Sequence, residues 1–551
     1  MTGALSLKLR RIAALLLFWF IFKFFDPLGL EAATKNASTA LFVALTAPFH
    51  GVGEAAVQDQ LAVVLVTDHT LDVWGGRWPA AVSRHARAIE ALLDAKPKAV
   101  VVDFRFAKPR PGEDLHEFDD AIAAADQAGI PLLFSQGQLG NGFGDLPEPL
   151  TRLGTVTGWE GDASRYRLLV SAPNDGAGAE EGAKSERKAW PTASFDVYER
   201  LCASDWLPTC HGPIDRTQFD RPMVVRYGLE LDRHQRLTLD TAQCGQFGGG
   251  LLRRLGEGAS LALGVLSARF RTTANSVAQR CPTFLTVNAE DLERMVAGQP
   301  DQPVSELLVG RVVFYGSDIR GDHDVADVPF RGQIPGVTLL ASAFENLLLY
   351  GPNYFKQPAT VIDEFIEIGW GDLMEAAVWL LLVTLLVLRE DHLEWIKDLE
   401  DDHARLARIL LAVALGGALA ILAVHDYQSR GAENVGRPVA IGGALLYAAA
   451  YLVLLRIISR WHQLGDTYRG RLFQLTGVTL CLFICNEAWL HWPNGDWLGL
   501  VLLFVALGEA FEGKPGSFVA DVEKGLIALG SFVADVGRRL IALGRRLPWF
   551  H

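Results

Sequence analysis

The chain has 551 residues, half of them hydrophobic, with a mean hydropathy of +0.18 and a formal net charge of −13. That length allows two or three folded units. The hydropathy is high for a wholly soluble protein and low for a pure transporter, and the negative charge, with no basic stripe in the middle region, argues against a nucleic-acid partner.

The first apolar run, "IAALLLFWFIF", lies in a predicted span over residues 12–30. Lys8, Arg10 and Arg11 precede it, an arrangement that keeps the N-terminus in the cytoplasm. Lys23 interrupts the run near its far end, where it can snorkel outward. A cleaved signal peptide is the competing reading. The aromatic-rich run and the absence of a small-x-small site after it favour an uncleaved anchor.

Residues 31–370 contain no further span and alternate in pattern. Residues 61–68 ("LAVVLVTD") predict a buried strand, 81–95 a helix, 99–104 a strand, 115–127 a helix and 130–135 ("IPLLFS") a strand. Late in this region 311–318 ("RVVFYGSD") predict a strand and 336–349 a helix, with 168–170 and 223–227 as further short strands. Strand–helix–strand order with continuously apolar strands implies an α/β domain built on a mainly parallel sheet covered on both faces. A cysteine-bearing stretch at about 196–280 reads as an insertion.

Four of the six cysteines fall in one polar region, and an even number there suits an oxidising compartment. We expect Cys202 to pair with Cys210 and Cys244 with Cys281, among three possible pairings, with four reduced thiols as the alternative. No C-x-x-C spacing supports a zinc site.

Five apolar segments follow, at 373–388, 409–424, 439–455, 472–485 and 497–511, forming a predicted bundle over 371–512. Several are shorter than the ~20 residues of a full crossing, so their flanks must extend them, and 472–485 is the shortest. Arginine and lysine concentrate in loops 389–408 and 456–471 and in the tail after 511. That bias predicts six spans with both termini in the cytoplasm and the cysteine region outside, as in a bacterial inner-membrane protein. Glu375, one turn into its span, is the intramembrane carboxylate of functional interest. In the tail (513–551), "GSFVADVEKGLIAL" is followed at once by "GSFVADVGRRLIAL". Phe518, Val522, Leu526, Phe532, Val536 and Leu540 make an apolar stripe at helical spacing. It suits the inner leaflet of the bilayer, or docking onto a partner or a second copy.

Two stretches of the middle region resemble a known family. "VVLVTDHTLDVWGGRWPAAVSRHARAIEALLDAKPKAVVVDFRF" has a strand ending in Asp, a Trp-Pro, an Arg-His helix and a strand ending DFxF. "GRVVFYGSDIRGDHDVADVPFRGQIPGVTLLASAFENLLLYG" has Gly-x-x-V-x-x-G-S, an Asp-containing loop, then PGV and a helix. In that order they resemble the opening and closing sections of CHASE2 domains, over roughly 50–352. The resemblance implies an extracytoplasmic sensor module held by one N-terminal span and followed by several others. Such receptors usually continue into a kinase, cyclase or phosphodiesterase; nothing of that size follows residue 511, so the output is expected from a cytoplasmic protein in trans or from the membrane bundle.

Ligands of open α/β sheets bind at the carboxyl ends of the strands. Asp68, Trp78, Arg84, Asp103, Ser317 and Asp318 would suit a small polar ligand or a periplasmic protein there. The plainer alternative is that Asp68 and Asp103 cap helices or pair with Arg84. Asp322, Asp324 and Asp327 ("DHDVAD") offer oxygen ligands for a divalent cation but lack EF-hand spacing, and no other cofactor is expected. No G-x-S-x-G, H-E-x-x-H or Walker glycine loop is present, so no catalytic residue is assigned. The sequence therefore predicts a homo-oligomeric membrane sensor, with a membrane effector such as a pore, or a periplasmic enzyme, as the alternatives.

Overall fold

The computed structural model describes residues 30–369 apart from several internal segments, the longest being 172–188, 239–249 and 267–282. Residues 40–356 belong to one compact unit. Six strands form its sheet: β1 (Leu61–Thr67), β2 (Ala99–Val102), β3 (Leu132–Gln136), β4 (Gly154–Val156), β5 (Leu285–Asn288) and β6 (Val312–Asp318). Their order is β4-β3-β2-β6-β1-β5, and every neighbouring pair is parallel. The expected parallel α/β architecture is present.

Near-continuous burial explains the strand sequences. β1, β2 and β6 are the Val-rich runs at the centre, buried along almost their whole length. Among the described residues the helices of seven residues or more are α1 (Leu30–Thr46), α2 (Asp68–Trp74), α3 (Val82–Asp94), α4 (Asp119–Ala128), α5 (Ala193–Ala203), α6 (Leu251–Leu266) and α7 (Gly336–Tyr350). One sheet face, with Ala62, Val64, Val100, Val102, Val313 and Tyr315, packs with Ile89 and Leu92 of α3 and Ile122 of α4. On the other face α7 lies on β1 and β6 and also packs against α5. Phe314 meets Phe344 there at 5.7 Å between ring centres. The approach of α7 is so close that a Cβ on Gly316 would sit 2.6 Å from Val337, which explains the glycine of the Gly-Ser pair in β6.

Several expectations are corrected. Asp68 does not end β1 but opens α2, which Thr67 and Thr70 cap reciprocally and Gly75 ends in a left-handed conformation at φ 117°. The predicted helix 115–127 begins as a 3₁₀ turn, Leu115–Phe118, before α4. Residues 169–171 pair antiparallel with 189–191 outside the main sheet. Met223 makes only isolated bridges, to Tyr166 and Lys356, so 223–227 is no strand. The expected boundary of an insertion at 196 falls inside α5, one of the covering helices. β4 and β5, the two sheet edges, are additional to the predicted strands.

Among the described residues no helix is long and apolar enough to cross a membrane. The six predicted spans, with Glu375 and the stripe from Phe518 to Leu540, lie outside the described residues apart from Leu30, where α1 begins.

Candidate functional site

Parallel pairing gathers the strand ends chosen from the sequence. β2, β6 and β1 are neighbours, and in register Ser317 lies opposite Val66 and Asp318 opposite Thr67. The Asp103 backbone N–H donates to the Tyr315 carbonyl at 2.7 Å. Asp68, Asp103, Ser317 and Asp318 therefore share the carboxyl end of the central sheet, Ser317 buried and Asp318 exposed. Partial desolvation, then the neighbouring Asp68 carboxylate, raise the Asp318 pKa above the ordinary carboxylate value, with Arg320 opposing. Arg320 Nε lies 3.7 Å from Asp68 Oδ2. Asp68 is not the cap of α2, since Thr67 is.

Trp78 is 37% exposed, with its ring 6.2 Å from that of Phe104. Arg84 lies in the first turn of α3, half-buried. Asp324 and Asp327 are exposed, Asp327 within the hairpin of Val325–Val328 and Gly332–Pro335; Asp322 lies outside the described residues.

Directly under this rim is a group the sequence reading passed over. His85, 2% exposed, shares a 2.8 Å hydrogen bond between its Nδ1 and Tyr315 Oη. Rings of Phe104 (4.5 Å), Phe106 (5.4 Å) and Trp74 (5.9 Å) surround it. Burial pushes its pKa down to about 3 and that of Tyr315 well up. The signal was available: His85 falls on the apolar stripe of α3 defined by Val82, Ile89 and Leu92.

A cavity of about 280 Å³ lies beside edge strand β4, lined among others by Gln136, Thr155, Trp190, Asp196, Arg200 and Arg216. None of the six rim residues lines it. Arg200 Nε donates to Asp196 at 2.7 Å, and Arg216 grips Glu199 with two bonds of 2.8 and 2.7 Å. Thr155 is 1% exposed, and its hydroxyl has no hydrogen-bond partner among the described residues. Cys202 of α5 is disulfide-bonded to Cys210, as expected; Cys244 and Cys281 lie outside the described residues.

At the opposite end of α7 a second buried polar group ties chain segments together. His50 contacts Glu345 Oε2 through Nε2 at 3.2 Å and Tyr350 Oη through Nδ1 at 3.1 Å. The Arg226 guanidinium lies over the rings of Phe355 (4.5 Å), Tyr350 (5.6 Å) and Phe42 (5.7 Å), while Asn346 bonds both backbone groups of Arg226. Arg331, whose pKa burial pushes down to about 10, donates to the Gly228 carbonyl at 2.7 Å. Burial lowers the His50 pKa against the opposing pull of Glu345.

One described cluster, Asp59, Asp232 and His234, has the spacing of a metal site. Arg311 lies among these groups, 2.8 Å from Asp232, 3.0 Å from His234 and 3.5 Å from Asp59. A guanidinium already supplies the positive charge, so the cluster is better suited to an ion-pair clamp than to a cation.

A parallel sheet with polar residues gathered at its carboxyl end is a framework on which ligands of open α/β folds bind. The chain belongs to the CHASE2 domain family, whose profile matches residues 12–387. CHASE2 domains are extracellular sensory domains. No curated protein and no solved structure matches the chain.

Proposed function

We propose that the protein is a membrane-anchored sensor whose α/β domain faces the periplasm and whose state is passed through the six predicted spans to a separate cytoplasmic partner. One observation carries the reading beyond family membership. The first and last parts of the compact unit meet, Phe42 against Phe355 at 5.3 Å with Arg226 stacked over both. A rearrangement of the domain that moves this joint displaces the chain on both sides of it together. Such coupling requires a ligand or partner that binds two states of the domain unequally. The carboxyl end of the sheet, with Asp68, Asp103, Ser317 and Asp318, is the sensing end in this reading.

Topology is the first test. Protease added to intact spheroplasts should cut within 31–370 and spare the repeat in 513–551. Cleavage of both, or of neither while lysed cells show cleavage of both, would remove the sensor reading. Co-purification of the full chain with a co-expressed cytoplasmic signalling enzyme, lost when 516–551 are deleted, would identify the output.

A further inference from the structure

We propose that the joint at the base of the domain is a clasp released by acid, held shut by the uncharged His50 side chain between Glu345 and Tyr350. This deepens the sensor reading and rests on it for the consequence of release: the proton is a ligand that the shut and the released joint bind unequally.

The geometry places His50 across the joint. It ends the short turn that follows α1, on the N-terminal side, and is 1% exposed. Glu345 and Tyr350 lie in the last two turns of α7, on the C-terminal side. Nε2 is 3.2 Å from Glu345 Oε2 and Nδ1 is 3.1 Å from Tyr350 Oη, so both ring nitrogens are engaged by α7. An uncharged imidazole suits these partners: Nε2–H donates to the carboxylate, and bare Nδ1 accepts from the Tyr350 hydroxyl. A proton added at Nδ1 turns that nitrogen into a donor and displaces the hydroxyl hydrogen. The contacts of the joint run on from there, Tyr350 to Phe355 at 5.7 Å between ring centres and Phe355 to Phe42 at 5.3 Å.

Charge supplies the driving force. The charged groups acting on His50 are Glu345 of α7, Arg226, and Arg331 beyond the hairpin, all buried. Gly228 packs against the imidazole, and its carbonyl is taken by Arg331, on which buried Tyr227 also acts. Arg254 of α6 donates to the Pro48 carbonyl and is paired with Glu230 at 2.7 Å. Charging the imidazole therefore adds a third cation beside one carboxylate among the groups that act on it. Burial and both guanidiniums oppose that charge, and Glu345 favours it. Below the ordinary value of 6.5 a released, solvated His50 takes a proton that the shut joint refuses. Acid thus favours release, raising the ratio of released to shut joint by up to about tenfold per pH unit.

The test is hydrogen exchange of the full-length chain in detergent, read by mass spectrometry at about pH 7 and about pH 5 and corrected for the intrinsic rate at each pH. Opening of segments 40–50 and 345–356 should rise roughly threefold or more in acid, with β1 and β6 changing less. His50→Gln, uncharged at both pH values, should abolish the rise. Equal opening of the two segments at both pH values in the unaltered chain overturns the proposal, whether or not the variant folds. A rise shared equally by β1 and β6 also overturns it, being unfolding of the whole domain, as does a rise undiminished in a folded His50→Gln chain. The sensor reading is judged separately by topology. Acid release in a chain whose 513–551 repeat lies on the same side as the domain keeps the clasp and removes its signal, whereas an acid-insensitive joint leaves the topology result standing.

Discussion

Two buried histidines, each hydrogen-bonded to a tyrosine, sit at opposite ends of the compact unit and are built differently. His85 rests in an aromatic cluster with Tyr315 as its polar contact. His50 touches Glu345 as well as Tyr350, and two buried arginines, Arg226 and Arg331, share its surroundings. Burial is the largest influence on both, and it lowers both pKa values. The difference lies in what balances what. At the rim the neutral imidazole suffices. At the base, burial of two guanidiniums requires a carboxylate, because an unbalanced buried charge costs several kcal/mol.

That contrast predicts its own largest effect. Glu345→Ala removes the buried carboxylate that contacts His50 and acts on Arg331, in surroundings that also hold Arg226, and should destabilise the domain by about 3–5 kcal/mol. Pulse proteolysis of the full chain in detergent would measure it. A loss under about 1 kcal/mol would mean that the base relaxes to admit water, and the contrast between the two ends would disappear.

Acid separates the ends next. The folded His85 value of about 3 lies below the ordinary 6.5, so between those values the unfolded chain binds a proton that the folded chain refuses. Stability thus falls as pH drops through that window, and His85 alone should cost about 2 kcal/mol on going from pH 7 to pH 5. His50 shifts in the same direction and adds to the loss. In the double variant His85→Phe/Tyr315→Phe the pH dependence should shrink by about one proton, as read from proteolysis at the two pH values. An unchanged dependence would mean that His85 is charged in the folded state.

A smaller effect isolates the hydroxyl. Tyr315→Phe removes the partner of His85 Nδ1 and keeps the ring against Phe104 at 4.9 Å. It should cost about 1 kcal/mol, the net worth of one hydrogen bond. A cost above 3 kcal/mol in the same assay would make the pair as consequential as the charged base.

The central strands were legible because their physics is local: 61–67, 99–102 and 312–318 are β-branched runs buried on both faces. α3 was legible from its period. The run "MVVRY" at 223–227 has the same composition, yet its backbone hydrogen bonds go to Asn346, Tyr166 and Phe355 rather than to a strand. Nothing in its own sequence announces that competition. α2, seven residues containing Asp, Thr and Val, exists through its cap and its closing glycine rather than propensity. The rim residues were found because strand ends can be read from the sequence. The cavity was not, since Gln136, Thr155, Trp190 and Arg216 come from four separated segments, and no periodic pattern links them.

The smallest prediction concerns a carboxylate that is exposed. The raised pKa of Asp318 means that its charged form is disfavoured by folding, first through partial desolvation and then through Asp68. Above both its folded and unfolded values that penalty is fully present, and it shrinks as pH falls from the raised folded value towards the unfolded one. Asp318→Asn should therefore stabilise the chain slightly at pH 7, by a few tenths of a kcal/mol once solvent screening is allowed for. The thermal midpoint should rise by about 1 °C, and the gain should disappear in acid. A loss of stability at pH 7 would reverse the sign of the argument. It would mean that the carboxylate at the end of β6 is held by a cation or a donor, and the rim would then resemble the charged base rather than the neutral cluster beneath it.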